Sequence, residues 1–303
     1  MDAVCLQGVT KTFGKTVAVS DLSLAVPPGS VYGFIGPNGS GKTTTLRMIM
    51  NILYPDRGRI MVLGESRRGA CLDRLSYMPE ERGLYQRMKV RELLEFHGEL
   101  KTGRKVRRQA DHWLERLGLT DWATKKVETL SKGMSQKLQF IATVISEPEV
   151  VILDEPFAGL DPVNAEVIRE AILQLQSQGV TIVFSTHDMG VAETMCDYVF
   201  MIFRGRKVLD GTLDSIQSRY GTDTIRLRTN DGAAALENLP GIEKVNDFGR
   251  MQELRMTPDC DTQAVLTAVM SRTRVHSFDI VRPSLHDIFV RIAGPEAREV
   301  PHA

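Results

Sequence analysis

The stretch GPNGSGKTT, from Gly36 to Thr44, decides the fold of this chain. It fits the pattern G-x-x-x-x-G-K-[ST], and it lies between the short apolar segment VYGFI and a segment that we expect to be helical from near Lys42. Glycines allow such a loop to wrap around a phosphate group, because they tolerate strained backbone angles and let successive N–H groups point at an anion. A glycine turn that matches by chance is the alternative, and the acidic residues described below argue against it.

The residues of this loop predict how a nucleoside triphosphate is held. Lys42 is expected to reach the β- and γ-phosphates, and the Thr43 hydroxyl is expected to ligate Mg²⁺. Thr44 and the positive end of the following helix, equivalent to roughly +0.5 charge, add to the anion site. The residues that we assign to nucleotide binding here are Gly36, Pro37, Asn38, Gly39, Ser40, Gly41, Lys42, Thr43 and Thr44.

Two carboxylates, Asp154 and Glu155, follow a second apolar strand with the sequence VVILD. In open α/β sheets, ligands bind at the carboxyl ends of the strands. We therefore expect Asp154 to hold the water shell of the metal ion and Glu155 to polarise the attacking water. The alternative is that Asp154 and Glu155 are two surface acids that happen to follow a core strand. The presence of a phosphate loop in the same chain argues against this alternative.

Apolar strands alternate with helical segments over the first two thirds of the chain. The runs EVVILDEP (149–156) and VTIVFSTH (180–187) flank a segment of helical character at about 163–178, and residues 90–145 are mostly helical in period. Buried strands separated by helices predict a mainly parallel sheet that is covered on both faces.

The order of elements changes beyond a break at about 217–223. The remaining sequence predicts strand, helix, two strands, helix and strand, and SLHDIFVRIAG then predicts a closing helix. That order is typical of a small α+β domain of the ferredoxin-like type. The segment offers no glycine loop, no acid pair after a buried strand and no metal cluster, so we expect it to regulate or assemble the protein.

The composition is that of a soluble globular protein. The chain has 303 residues, with 38 Lys plus Arg against 38 Asp plus Glu, so no global field attracts nucleic acid, and we expect no nucleic-acid partner. Four separated cysteines indicate reduced cytosolic thiols, and no apolar run is long enough to span a membrane. The basic run KTGRKVRR (101–108) predicts a solvated helix face, with contact to lipid phosphate as the alternative.

A third motif, LSKGMSQKLQF, starts at Leu130 and begins what we expect to be another helix, whose free N–H groups form an anion site. With this motif, the phosphate loop and the ILDEP segment, residues 1 to about 215 resemble the nucleotide-binding subunit of ABC transporters, whose signature is usually written LSGGQ. The resemblance implies an α/β fold: a P-loop ABC ATPase domain with a mixed, mainly parallel sheet, a helical subdomain and N-terminal antiparallel strands, followed by a small α+β domain. The implied bounds are 1–216 for the ATPase domain, about 88–148 for its helical subdomain and 222–295 for the C-terminal accessory domain.

The resemblance also implies ATP and Mg²⁺ as cofactors and assigns further roles. Phe13 lies where such proteins stack an aromatic ring on adenine, His187 matches the histidine that contacts the γ-phosphate, and Asp161 ends the AGLD loop that runs between subunits. Ser131, through its hydroxyl, and Gly133, through its N–H, are expected to cap the γ-phosphate of the ATP held by a second subunit. Two chains, in a homodimer, then complete two sites. The predicted catalytic residues are Lys42, Glu155 and His187.

Three residues depart from the family pattern. Lys132 replaces the central glycine of the signature, and Met134 replaces its glutamine. Glu80, in YMPEERGLY, stands where the family usually has a glutamine that binds Mg²⁺. A carboxylate is also a hard oxygen ligand, so we assign Glu80, with Thr43 and Asp154, to the metal.

The resemblance implies an ATPase that energises a separate integral-membrane permease and lies in the cytoplasm on the inner face of the cell membrane. PEERGLY and LSKGxxQK resemble a bacterial exporter branch linked to sodium or drug export, whose ATPase carries an extra C-terminal domain. One alternative is a soluble ABC protein of translation or DNA repair, although the chain has a single phosphate loop and no sustained heptads. Another is an importer ATPase with a regulatory tail.

Overall fold

The computed structural model describes residues 2–66, 71–81, 83–220, 224–249 and 251–297, with side chains through Gly294. Parts of two predicted segments lie outside these residues, namely Arg82 of PEERGLY and positions 221–223 of the predicted break. The strands are β1 (Val4–Phe13), β2 (Thr16–Val26), β3 (Val31–Ile35), β4 (Arg57–Val62), β5 (Glu65–Ser66), β6 (Leu75–Met78), β7 (Val150–Asp154), β8 (Thr181–Thr186), β9 (Tyr198–Phe203), β10 (Arg206–Gly211), β11 (Thr224–Thr229), β12 (Ile242–Asp247), β13 (Gln252–Met256) and β14 (Val275–Val281).

The α-helices connect these strands. They are α1 (Lys42–Ile49), α2 (Val90–Thr102), α3 (Arg107–Arg116), α4 (Lys132–Val144), α5 (Pro162–Ser177), α6 (Met189–Met195), α7 (Leu213–Arg219), α8 (Thr262–Arg272) and α9 (Leu285–Ala297). Short 3₁₀ turns lie at Thr120–Trp122, Val127–Thr129 and Gly232–Leu236. Within the described ranges, no helix combines the length and apolarity needed to cross a membrane.

A six-stranded sheet forms the centre of the first unit, Met1–Leu213. Its strand order is β10-β9-β3-β8-β7-β6, with parallel pairing except for β10, which runs antiparallel to β9. A second, antiparallel sheet has the order β2-β1-β4-β5. The predicted α/β class, with a mainly parallel sheet and N-terminal antiparallel strands, is confirmed.

Both faces of the six-stranded sheet are buried, because alternate residues of each central strand enter different cores. On β7, Val151 and Leu153 pack in the core that includes α2, α3 and α4. Val150 and Ile152, on the opposite face, pack in the core that includes α1 and the antiparallel sheet. The carboxyl ends of the strands are left at one edge, and the candidate site lies there.

Four of the five basic residues in the run at 101–108 are exposed, as predicted, but the run does not form a single helix face, because it spans the end of α2 and the start of α3. Lys101 lies in the last turn of α2, Gly103 ends the helix in a left-handed conformation, and α3 begins at Arg107. Lys101 is half-buried and donates hydrogen bonds to the Leu75 carbonyl and to Ser76 Oγ, because the helix end points it at β6. The Val106 side chain between the helices is buried.

The second unit, Asp214–Ala303, contains its own sheet with the strand order β12-β13-β11-β14, paired antiparallel throughout. This order of a strand–helix–strand–strand–helix–strand chain is that of a ferredoxin-like sheet, although the first helix is only the 3₁₀ turn. Its core contains Ile225, Leu227, Leu254, Val265 and Val269. The predicted α+β class of the C-terminal region is therefore confirmed.

Candidate active site

The glycine loop lies between β3, all of whose residues are buried, and α1, which begins at Lys42. Gly41 has a φ of 109°, and a Cβ atom there would lie 2.6 Å from the Ala18 carbonyl oxygen. Gly39 also has a positive φ, 75°, and faces open space. An L side chain is strained in both conformations, and at Gly41 it would also collide with the backbone. The conformation of the loop therefore favours glycine at both positions.

The Lys42 side chain is buried inside this loop. Its Nζ atom donates to the carbonyl oxygens of Gly36 at 2.7 Å and Pro37 at 3.3 Å. It also lies 3.5 Å from Glu155 Oε1, and both side chains are under a tenth exposed. The lysine therefore places a fixed positive charge at the loop, next to the second of the two predicted acids.

Asp154 is fully buried at the end of β7 and accepts hydrogen bonds from three hydroxyl groups. The donors are Thr43 Oγ1 at 3.3 Å, Ser185 Oγ at 2.5 Å and the Tyr77 hydroxyl at 3.1 Å. Burial, and then the charge of Asp154, raises the pKa of Tyr77, so the phenol stays protonated and donates at neutral pH. Three donors compensate the burial of the carboxylate and hold it beside Thr43.

Glu155 adopts a left-handed backbone conformation, with a φ of 50°. Its N–H donates to Ser185 Oγ at 2.9 Å, and both of its carboxylate oxygens lie 3.1 Å from His187 Nδ1. A non-glycine residue with positive φ is uncommon, and such strain concentrates at functional sites. In this conformation the carboxylate contacts both Lys42 and His187. The His187 side chain is more than half exposed at 57%, so this end of the site is open.

A cavity of about 230 Å³ lies over the loop, and its lining includes Asn38, Thr43, Thr44, Glu80 and Glu155. Nearby, the Ser40 hydroxyl oxygen is buried, and it has no hydrogen-bond partner among the described residues. An unpaired buried hydroxyl is costly, and a bound phosphate oxygen would accept its proton. The cavity chemistry fits a phosphate group, and the oxygen donors of Thr43, Asp154 and Glu80 are of the kind that Mg²⁺ prefers.

The start of α4 lies beside the start of α5. Ser131 is the exposed N-cap residue of α4, and its hydroxyl accepts from the Met134 N–H at 3.2 Å. A Cβ atom at Gly133 would lie 3.0 Å from Asn164 Nδ2, and Asp161 accepts from the Asn164 N–H at 3.0 Å. Within the described ranges, no hydrogen bond or ion pair joins Ser131, Gly133 or Asp161 to the glycine loop.

The remaining predicted residues lie at the surface. Phe13 ends β1 with its side chain 48% exposed, and Lys11 Nζ lies 5.5 Å from the centre of its ring. The Lys132 ammonium group, at the substituted signature position, occupies the space that a side chain at Gly159 would fill. A lysine at position 132 is therefore accommodated next to the AGLD loop.

Three residues of the site were missed in the sequence. Ser185 pairs in register with Asp154 because β8 lies next to β7, and Tyr77 is the penultimate residue of β6 on the other side of β7. Gln139, on α4, donates to the carbonyl groups of Pro79 and Glu81. One rule could have pointed to Ser185 and Tyr77: the carboxyl ends of parallel strands meet at one edge of a sheet. The rule does not say which strands are neighbours, so it could not identify these two residues as partners of Asp154.

Comparison with known proteins gives matches over both units. Residues 19–158 match the family model of the ABC transporter, and residues 211–293 match the C-terminal domain of the ATP-binding protein DrrA1-3-like family. The chain is 38% identical over 288 residues to the uncharacterized ABC transporter ATP-binding protein YhaQ of Bacillus subtilis, covering 94% of this chain and 97% of that protein.

Two further relatives have names that state a biological role. The daunorubicin resistance ATP-binding protein DrrA3 of Streptomyces coeruleorubidus is 31% identical, covering 98% of this chain and 97% of that protein. The Nod factor export ATP-binding protein I of Burkholderia lata is 33% identical, covering 97% of both chains. A solved structure described as the ATP binding subunit of an ABC transporter superposes with a TM-score of 0.67 at 28% identity, covering 72% of this chain and 93% of that chain.

Proposed function

This chain belongs to the family of ABC transporter ATP-binding proteins, and we propose that it is the ATP-hydrolysing subunit that energises a separate membrane permease of the export type. The observation that carries this proposal is the contact of Glu155 with both Lys42 and His187 at the edge of the phosphate cavity. In the proposal this carboxylate acts as the general base for water, because its side chain lines the cavity beside Lys42.

Each residue of the cavity has a chemical role in the proposal. Lys42 and the hydroxyl of Ser40 bind phosphate oxygens, and Glu155 accepts a proton from the attacking water. His187 holds the Glu155 carboxylate in orientation and contacts the γ-phosphate from the open side. Mg²⁺, held by Thr43, Asp154 and Glu80, would neutralise the charge of the phosphates when bound.

The assignment to export rests on the relatives and on the second unit. The chain matches the drug-resistance and Nod factor export proteins along nearly their whole length, and its C-terminal region matches the DrrA-like domain. We therefore propose a catalytic domain at 1–216 with a helical subdomain at about 88–148, an accessory domain at 222–295, and a location on the cytoplasmic face of the membrane through the permease. These features favour export over the importer, translation and repair alternatives.

We also propose that two copies form the working unit. Ser131 is exposed at the start of α4. Among the described residues, no hydrogen bond joins Ser131 to the glycine loop of its own chain. A helix start that carries a hydroxyl and free N–H groups is suited to an anion that comes from another molecule. Ser131, Gly133 and the region of Asp161 would then face the ATP of the second subunit, and Phe13 would stack on adenine.

The Glu155→Gln variant tests the proposed reaction. The amide keeps the size of the side chain but cannot take a proton, and a positioned base contributes roughly 10²–10⁴-fold to a rate. We expect the turnover of Mg-ATP to fall by about that factor while ATP binding, measured by calorimetry, is retained. Glu170→Gln, at an exposed position of α5, is the control and should hydrolyse ATP like the wild type. Unchanged turnover in Glu155→Gln would exclude this role.

A further inference from the structure

Two buried glutamines on α4 hold the two loops that carry the acids of the site. Gln136 Nε2 donates to the Pro156 carbonyl oxygen at 3.1 Å, immediately after Glu155. Gln139 Nε2 donates to the Pro79 carbonyl oxygen at 2.8 Å and to the Glu81 carbonyl oxygen at 3.3 Å, on the two sides of Glu80. Both glutamines are under a twentieth exposed, at 2% and 4%. Their spacing of three residues places them on one face of the helix.

The contacts of Gln139 fix the orientation of its amide group. Both partners are carbonyl oxygens, which only accept hydrogen bonds, so the NH₂ group must face the loop. Gln139 Oε1 then faces the other way, where it is buried and has no partner among the described residues. The Gln139 residue lines a cavity of about 440 Å³ together with Leu84, His97 and Lys101.

We propose that Gln139 is a positioning residue for the ATPase reaction, which holds the Pro79–Glu81 segment so that the Glu80 carboxylate stays at the phosphate cavity. Two bonds from one amide, to the carbonyl groups of the residues on either side of Glu80, hold the backbone from which that side chain extends. The Glu80 side chain itself is exposed and borders the cavity with Lys42 and Thr43, so without this support it is free to turn into solvent. The inference rests on the proposed function, because it assigns the Glu80 carboxylate to Mg²⁺.

The test measures how much Mg²⁺ increases nucleotide affinity, with the full chain and in the Glu155→Gln background so that ATP is not consumed. Gln139→Met keeps the unbranched shape and removes both donors, whereas Gln139→Glu keeps the shape and places acceptors against two carbonyl groups. Outer-shell support of a metal ligand is worth about 10–100-fold in metal affinity. We expect Gln139→Met to lower the Mg²⁺-dependent gain in affinity by about tenfold, Gln139→Glu to lower it further, and the affinity without Mg²⁺ to stay unchanged.

Thr143→Val is the matched control. Thr143 lies one turn further along α4 and borders the same cavity, and its hydroxyl donates to the Gln139 backbone carbonyl within its own helix. The valine variant should bind nucleotide with the wild-type dependence on Mg²⁺. An equal loss in Thr143→Val would show that any change in this part of α4 disturbs the site, and it would overturn the specific role of Gln139.

A double-mutant cycle with Glu80→Ala separates positioning from general destabilisation. If Gln139 acts through Glu80, the Glu80→Ala and Gln139→Met changes should not add, and the double variant should resemble Glu80→Ala alone. Additive losses, or a Glu80→Ala variant that keeps the full gain from Mg²⁺, would refute the inference, as would a wild type whose affinity Mg²⁺ does not raise. A wild type that responds to Mg²⁺ but hydrolyses no ATP would instead refute the proposed function and leave the inference standing.

Discussion

At the scale of single residues, Ser185 connects the two acids of the candidate site. Its hydroxyl donates to Asp154 and accepts from the N–H of Glu155, so one oxygen atom holds both the carboxylate that we propose as a metal ligand and the backbone of the proposed general base. Because Ser185 is fully buried, water cannot replace either bond. A residue of the neighbouring strand, β8, therefore stabilises the left-handed backbone conformation of Glu155.

Ser185→Ala should therefore affect stability and turnover together. The change leaves the Glu155 N–H buried and unpaired, which typically costs about 1–3 kcal/mol of unfolding free energy. We expect a loss of that size in urea denaturation, with a fall in kcat that exceeds the change in KM for ATP. Ser76→Ala is the control, because Ser76 is also buried in the sheet but contacts Lys101 and Ser146 away from the acids. If both variants lose kcat equally, Ser185 has no special role.

The sequence predicted the types of residue at the site better than their partners. The glycine loop, Asp154 and Glu155 follow from a local motif and from apolar runs that end in acids, which a chain displays directly. Ser185 and Tyr77 act through strand pairing between segments that are about 30 and 77 residues from Asp154. Their roles depend on the order β8-β7-β6, and apolar runs alone do not give that order.

At the scale of elements, α4 begins at Ser131 and gives a test of the second half-site. The Ser131 hydroxyl caps its own helix through the Met134 N–H, so a substitution there can act on the helix as well as on a second subunit. The two effects separate if the cap is kept and only the charge is changed. Asn and Asp are both good N-cap residues, and they differ by one negative charge.

In the Glu155→Gln background with ATP, we expect Ser131→Asn to dimerise and Ser131→Asp to remain monomeric. Both variants should unfold at nearly the wild-type denaturant concentration because both retain the cap. The aspartate would face the γ-phosphate of the other subunit, and two like charges in contact repel. Light scattering after size exclusion gives the mass of each species. Dimers of equal stability in both variants would show that Ser131 does not face a phosphate of the second copy.

The sequence predicted the main elements because their hydrophobic periods are strong, and it failed where a helix is interrupted. The segment expected to be helical at about 163–178 is α5, Pro162–Ser177, and its start is fixed by the Asp161 N-cap and by Pro162 in the first turn. The basic run 101–108, in contrast, contains a left-handed Gly103 and the buried Val106, so it forms the junction of two helices. A single glycine among charges was too weak a signal for this break.

At the scale of the whole molecule, the proposed catalytic residues all lie in the first of the two units. All of the residues that line the phosphate cavity belong to the first unit, Met1–Leu213. The second unit has its own sheet and its own apolar core, so each can bury apolar surface without the other. The apolar side chains of α9 are only partly buried, with Leu285 and Ile288 fully covered and Ile292 at 38% exposure.

A chain that ends near Ser218 should therefore fold, bind ATP and hydrolyse it at a basal rate within about twofold of the full chain, because the cavity and its core are intact. We expect the same truncation to reduce permease-coupled export, which would assign the second unit to regulation or assembly. A chain that ends at Ala297 is the control and should match the full chain in both assays. Circular dichroism and calorimetry with ATP establish that the shortened protein is folded and binds nucleotide. If it does both and yet shows no hydrolysis, the second unit contributes a group to the reaction itself, and the separation of roles proposed here is wrong.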